Sequence, residues 1–90
     1  MALHIWMQEK FDKHNLTLKE VGKQTGLHTS SLSGYVRGEY LPRLINLVAI
    51  VEIISIADKT SPRELLHQAL LSLDELTYAE ERFNKRNNKD

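Results

Sequence analysis

Leu3, Trp6, Met7 and Phe11 recur at helical spacing across roughly residues 2–14, with Gln8, Glu9, Lys10, Asp12 and Lys13 between them. That spacing puts the four apolar side chains on one stripe and predicts an amphipathic helix that stops at Asn15. Thr17-Leu-Lys-Glu20 has the form of a capping box: the Thr hydroxyl accepts from the amide three residues on while Glu20 reaches back. A second, short helix therefore starts there. Gly26 closes it, because glycine takes the left-handed conformation at little cost, and Leu27 can pack beneath the turn. A third helix is predicted over about 29–37, with Leu32, Tyr35 and Val36 inward and Gly38 closing it. Its opening face is small and polar: His28, Thr29, Ser30, Ser31, Ser33 and Gly34.

Pro42 suits the first position of a fourth helix, where its missing amide proton would have no partner anyway. Leu44, Leu47, Val48, Val51 and Ile54 form the expected inward stripe, yet Ile45, Ile50, Ile53 and Ile56 fall elsewhere on the wheel. Of the 14 residues from 44 to 57, 11 are apolar, so this helix is hydrophobic nearly all round. Its Ile and Val content would also permit a strand, but the run exceeds strand length and lacks alternation. Ser61-Pro-Arg-Glu64 is a strong helix start, with Ser as cap, Pro at the first position and Glu at the third. Leu65, Leu66, Ala69, Leu70 and Leu73 give that fifth helix a broad apolar face, and Leu76, Ala79 and Phe83 continue into a sixth helix or an extension. The polar end, 84–90, is expected to fray. The pattern is all-α, with five to six helices.

Ninety residues at 41% apolar and 27% charged bound the chain to one small folded domain. The absence of cysteine removes disulfides and thiolate metal sites, which suits a reducing compartment. The start, MALHIWMQEK, lacks the basic opening and apolar stretch of a signal peptide, and the run 44–57 is too short and too polar to span a bilayer. A cytoplasmic location is expected. No pair of histidines has metal-ligand spacing with a carboxylate partner, and nothing resembles a nucleophile elbow or a phosphate loop. Neither an enzyme, a metal nor a cofactor is expected.

Twelve basic residues against twelve acidic give zero formal charge, which withholds the simplest clue to a nucleic-acid partner. The distribution alters that picture: residues 1–45 carry +2 and the remainder −2, and the stretch 13–43 alone carries +3.

Two short helices joined at Gly26, the second opening with hydrogen-bonding side chains, meet the physical requirements of a helix-turn-helix DNA reader. The run Leu16-Thr-Leu-Lys-Glu-Val-Gly-Lys-Gln-Thr-Gly26-Leu-His-Thr-Ser-Ser-Leu32-Ser-Gly-Tyr-Val-Arg-Gly38, with the exit Glu-Tyr-Leu-Pro42, resembles the lambda-repressor/Cro-like (XRE) helix-turn-helix family. The likeness covers about residues 3–57, or to 73 with the fifth helix. It implies a lambda-repressor-like fold, a helix-turn-helix DNA-binding domain at 1–73, and a C-terminal helix and tail at 74–90 for dimerisation or core cover. It also assigns residues. Thr29, Ser30, Ser33 and Gly34 match the base-contacting positions, with His28 and Ser31 at the rim. Thr17, Lys19, Lys23, Arg37, Tyr40 and Arg43 match the phosphate contacts. Ser and Thr cannot make the bidentate pairs by which Arg reads guanine, so direct readout is modest and DNA shape contributes. Phe11 and Val36 stand where family members often pair Arg with Glu.

The expectation is a repressor-like transcription regulator of phage or mobile-element type, bound to double-stranded DNA at a palindromic operator. A homodimer through Leu66, Leu70, Leu73, Leu76 and Phe83 would match that two-fold symmetry. The alternative is a protein-interaction module, an antirepressor, antitoxin or adaptor, whose apolar fourth helix or C-terminal face binds a regulatory protein.

Overall fold

The computed structural model describes residues 2–87, all of whose regular structure is helical: α1 (Leu3–Lys13), α2 (Leu18–Thr25), α3 (Thr29–Val36), α4 (Leu44–Asp58), α5 (Pro62–Leu71) and α6 (Asp74–Asn87). None of these helices is long and apolar enough to cross a membrane.

The first five helices share one core. Leu3, Trp6, Met7 and Phe11 enter it from α1, Val21 from α2, Leu32 and Tyr35 from α3, and Leu65 and Ala69 from α5. Burying a side chain such as Phe11 or Leu32 contributes about 1.5–3 kcal/mol, which is why so short a chain can hold a defined α2–α3 geometry. The start of α6 adjoins this body, where Leu73, Asp74 and Glu75 border a cavity of about 330 Å³ with the start of α1 and the α3–α4 loop.

Local chemistry explains the helix ends. Thr17 Oγ1 accepts from the Glu20 amide at 3.1 Å, whereas the return half of the capping box, from Glu20 to the Thr17 amide, is not made. Gly26, at φ 80°, is the left-handed C-cap of α2, its amide donating to the Gly22 carbonyl. Thr25 braces the same turn, donating to the Val21 carbonyl at 2.7 Å and accepting from the Leu27 amide at 3.2 Å. Ser61 caps α5 by accepting from the Glu64 amide at 3.2 Å, with Pro62 as first helical residue.

Three further expectations are corrected. Pro42 lies in the α3–α4 loop, two residues before α4, and Arg43 is the extended N-cap; the fixed φ of proline fits an extended loop as readily as a first turn. The inward arc of α4 is Leu47, Ile50, Val51, Ile53 and Ile54, while Leu44, Ile45, Val48 and Ile56 are exposed. A helix apolar nearly all round has no phase to read, so packing alone decides which arc faces in. Finally, residues 84–87 continue α6 instead of fraying; the rest of the tail expected to fray, 88–90, lies outside the described residues.

The ends of α1 and α4 are joined electrostatically. Asp58 accepts from His14 Nε2 at 2.6 Å and from Thr60 Oγ1 at 2.6 Å, with Lys13 Nζ at 3.4 Å and Lys10 Nζ at 3.8 Å. The Thr60 and His14 hydrogen bonds, helped by Lys10 and Lys13 and opposed by desolvation, hold the Asp58 carboxyl well below its ordinary range.

Candidate nucleic-acid interface

α2 and α3 pack together at the Gly26 turn, and Gly22 sets how closely. A Cβ at Gly22 would lie 2.8 Å from the Leu27 carbonyl oxygen and 3.5 Å from side-chain carbons of Leu32 and Thr29. No side chain larger than hydrogen fits that approach without a shift.

With Leu32 and Tyr35 turned into the core, α3 presents its opposite face outward. His28, as N-cap, and Thr29 and Ser30 are exposed, and Ser31 and Ser33 are half-buried. Within the described residues no hydrogen bond engages the hydroxyls of Thr29, Ser30, Ser31 or Ser33, Ser30 being touched only at its carbonyl, and the His28 side chain does not cap α3. Each hydroxyl can still donate and accept. An α-helix with its side chains is about 10–12 Å across, which the major groove of DNA, about 12 Å wide, admits.

Gly34 differs from its neighbours. It is buried beneath Tyr40, and a Cβ there would collide with the ring and hydroxyl of that tyrosine. The Tyr40 ring meets Tyr35 edge-on, with centroids 5.4 Å apart and planes at 84°. Its hydroxyl points at the Ser30 carbonyl over a long 3.4 Å. Asn46 Nδ2 in turn donates to the Tyr35 hydroxyl at 3.1 Å, pinning α3 to α4. The outward surface at position 34 is therefore made by Tyr40, itself 49% exposed. This arrangement was not foreseen from sequence, because it depends on the path of the loop after Gly38.

The positions expected at phosphates divide by their present partners. Lys19 and Lys23, one turn apart on α2, and Arg43 at the start of α4 are exposed and enter no ion pair among the described residues. Thr17 already accepts a capping bond, which leaves its hydroxyl proton to donate. Arg37 is engaged: its Nε and Nη2 donate to the two oxygens of Glu39 at 3.1 Å each. Both side chains are more than half exposed, so the pair is weak and easily exchanged for another anion.

The residues expected at a dimer interface also divide. Leu66 and Leu73 pack against the chain's own core, while Leu70, Leu76 and Phe83 are exposed, as is Leu71, which the sequence reading did not single out.

A family model described as helix-turn-helix matches residues 7–57. No curated protein matches the chain, and no solved structure does.

Proposed function

The chain belongs to the lambda-repressor/Cro-like helix-turn-helix family, whose members are DNA-binding regulators, and from that premise we propose that it represses transcription as a homodimer on a palindromic operator. The observation that carries the reading is the row of α3 hydroxyls at Thr29, Ser30 and Ser33, which have no hydrogen-bond partner among the described residues. In this reading α3 enters the major groove N-terminus first. Thr29, Ser30 and Ser33 meet base edges, and His28, Ser31 and the Tyr40 ring line the rim. The Thr17 hydroxyl, Lys19, Lys23, Arg43 and, once released from Glu39, Arg37 hold phosphates. Gly34 seats Tyr40 and does not itself meet a base. Residues 1–73 form the reader and 74–87 the dimerisation element. The protein acts by occupying DNA in the cytoplasm, without a cofactor.

The test separates the two kinds of contact. Lys19→Ala or Arg43→Ala should weaken binding to every duplex and lower the salt slope by about 1 each. Ser30→Ala or Ser33→Ala should instead change which base is preferred at one position of each half-site. DNA affinity unchanged by all four would contradict the reading.

One observation favours a second reading. The outer arc of α4 exposes Leu44 at 64%, Ile45 at 74% and Val48 at 41% over its first turns, an apolar surface of the kind that binds another protein. On that reading the chain is an antirepressor, antitoxin or adaptor, and the same four substitutions leave its partner binding intact.

A further inference from the structure

α6 runs for 14 residues without burying one of them. A free helix of that length is marginal in water. The molecule measures 53 Å along its longest axis against 27 and 21 Å across, so a helix that adds nothing to the core lies on an elongated body. Leu76, Ala79 and Phe83, at positions i, i+3 and i+7, share one side of α6. With Glu80 they line an open groove of about 320 Å³. Leu76 is 39% and Phe83 60% exposed.

The charges of α6 say what fits this stripe. Its first eight residues, 74–81, hold Asp74, Glu75, Glu80 and Glu81, a balance of −4, and residues 82–87 hold Arg82, Lys85 and Arg86, a balance of +3. A second α6 laid alongside in parallel would set acid against acid and base against base. Laid antiparallel about its middle, each helix brings Asp74 and Glu75 to the partner's Arg82, Lys85 and Arg86, while Glu80 and Glu81 lie near the crossing, and a two-fold axis relates the copies as in any homodimer.

Resting on the homodimer reading, we propose that α6 pairs antiparallel with α6 of a second copy, Leu76 packing against the partner's Phe83 and Ala79 at the crossing. The small Ala79 lets the helix axes approach. Glu75 and Arg82 lie on the same flank of the stripe, about 20° apart on the wheel. In the antiparallel pair Glu75 therefore faces the partner's Arg82, and the relation is repeated by symmetry. The same geometry brings the partner's Phe83 end to the α5–α6 junction, where Leu70 and Leu71 are 36% and 62% exposed. Those side chains extend the apolar contact beyond what two short helices could bury alone.

Sedimentation velocity on the full chain tests the pairing, with wild type, Phe83→Ala, Glu75→Arg, Arg82→Glu and the double variant Glu75→Arg/Arg82→Glu. Phe83→Ala should raise the dimer Kd at least about 10-fold. The melting temperature measured under monomeric conditions should not change, because Phe83 supports no core residue. Each single charge reversal should raise the Kd by about 5- to 20-fold, and the double variant should return to within about threefold of wild type. That rescue belongs to the antiparallel pair, since a parallel pair would set each reversed residue against its own copy. A stable dimer without rescue, or one indifferent to Phe83→Ala, overturns the α6 pairing while leaving the homodimer standing. A wild-type chain that stays monomeric at about 100 μM, some hundredfold above a micromolar Kd, overturns both.

Discussion

The ring of Tyr40 occupies the volume into which a side chain at Gly34 would project, so one residue of the loop completes the outer face of α3 at another residue's position. Gly34→Ala must expel the ring. Because Tyr40 is half-exposed it can swing aside, and the gain in helix propensity, about 0.5–1 kcal/mol, offsets much of the lost stacking. The expected result is a stability change within about 1 kcal/mol of wild type together with loss of the Tyr35–Tyr40 ring contacts in a nuclear Overhauser spectrum. Ring contacts that persist would contradict the arrangement.

The same substitution one helix earlier has a different outcome. At Gly22 the obstacle is the Leu27 carbonyl, 2.8 Å from a new Cβ, and backbone cannot swing away. Gly22→Ala is expected to cost about 1–2 kcal/mol net, overpacking exceeding the propensity gain. Urea unfolding of the two alanine variants side by side checks this, and a Gly22→Ala chain more stable than Gly34→Ala would refute it.

The starts of α2 and α5 and the end of α2 were legible in the sequence because their signals are local, whereas Pro42 misplaced the start of α4. Thr17 accepts its cap bond, Gly26 takes positive φ, and Ser61, Pro62 and Glu64 form the start of α5 that their order predicts. The arc of α4 that faces inward was not legible, since Ile50 and Ile53 are chemically equivalent to Leu44 and Val48 and only the rest of the core distinguishes them. The site divides the same way. The hydroxyl row at the start of α3 is written in consecutive residues, whereas the seat of Tyr40 on Gly34 and the hold of Glu39 on Arg37 depend on the turn at Gly38.

Glu39 places an acid beside a surface proposed to meet phosphates, and it occupies the Arg37 guanidinium at 3.1 Å. Glu39→Gln removes the repulsion and frees the cation. DNA affinity should rise about 2- to 5-fold at low salt, and the slope of log affinity against log salt should steepen by about 1. An unchanged slope in fluorescence anisotropy titrations would show that Arg37 does not reach the backbone.

Asp58 makes stability dependent on acid. Its carboxyl is held below the ordinary value of 3.8, first by Thr60 and then by His14, Lys10 and Lys13. A carboxyl depressed in the folded state stabilises it fully above the unfolded value, and that contribution is lost as pH falls toward the folded one. The melting temperature of the wild type should therefore decline as pH drops below about 4. Asp58→Asn should melt lower at pH 7, and its deficit should shrink as the wild type is acidified through that range. A deficit independent of pH between neutrality and strong acid would show that the hydrogen bonds, and not the charge, carry the effect.

The central claim, that the hydroxyl row of α3 and the cations around it read duplex DNA from a two-fold dimer, is tested most directly by selecting bound sequences from a random duplex pool at defined salt. Enrichment of a palindrome whose half-sites lie about one helical turn apart is the predicted result. A pool that emerges unenriched would contradict the claim.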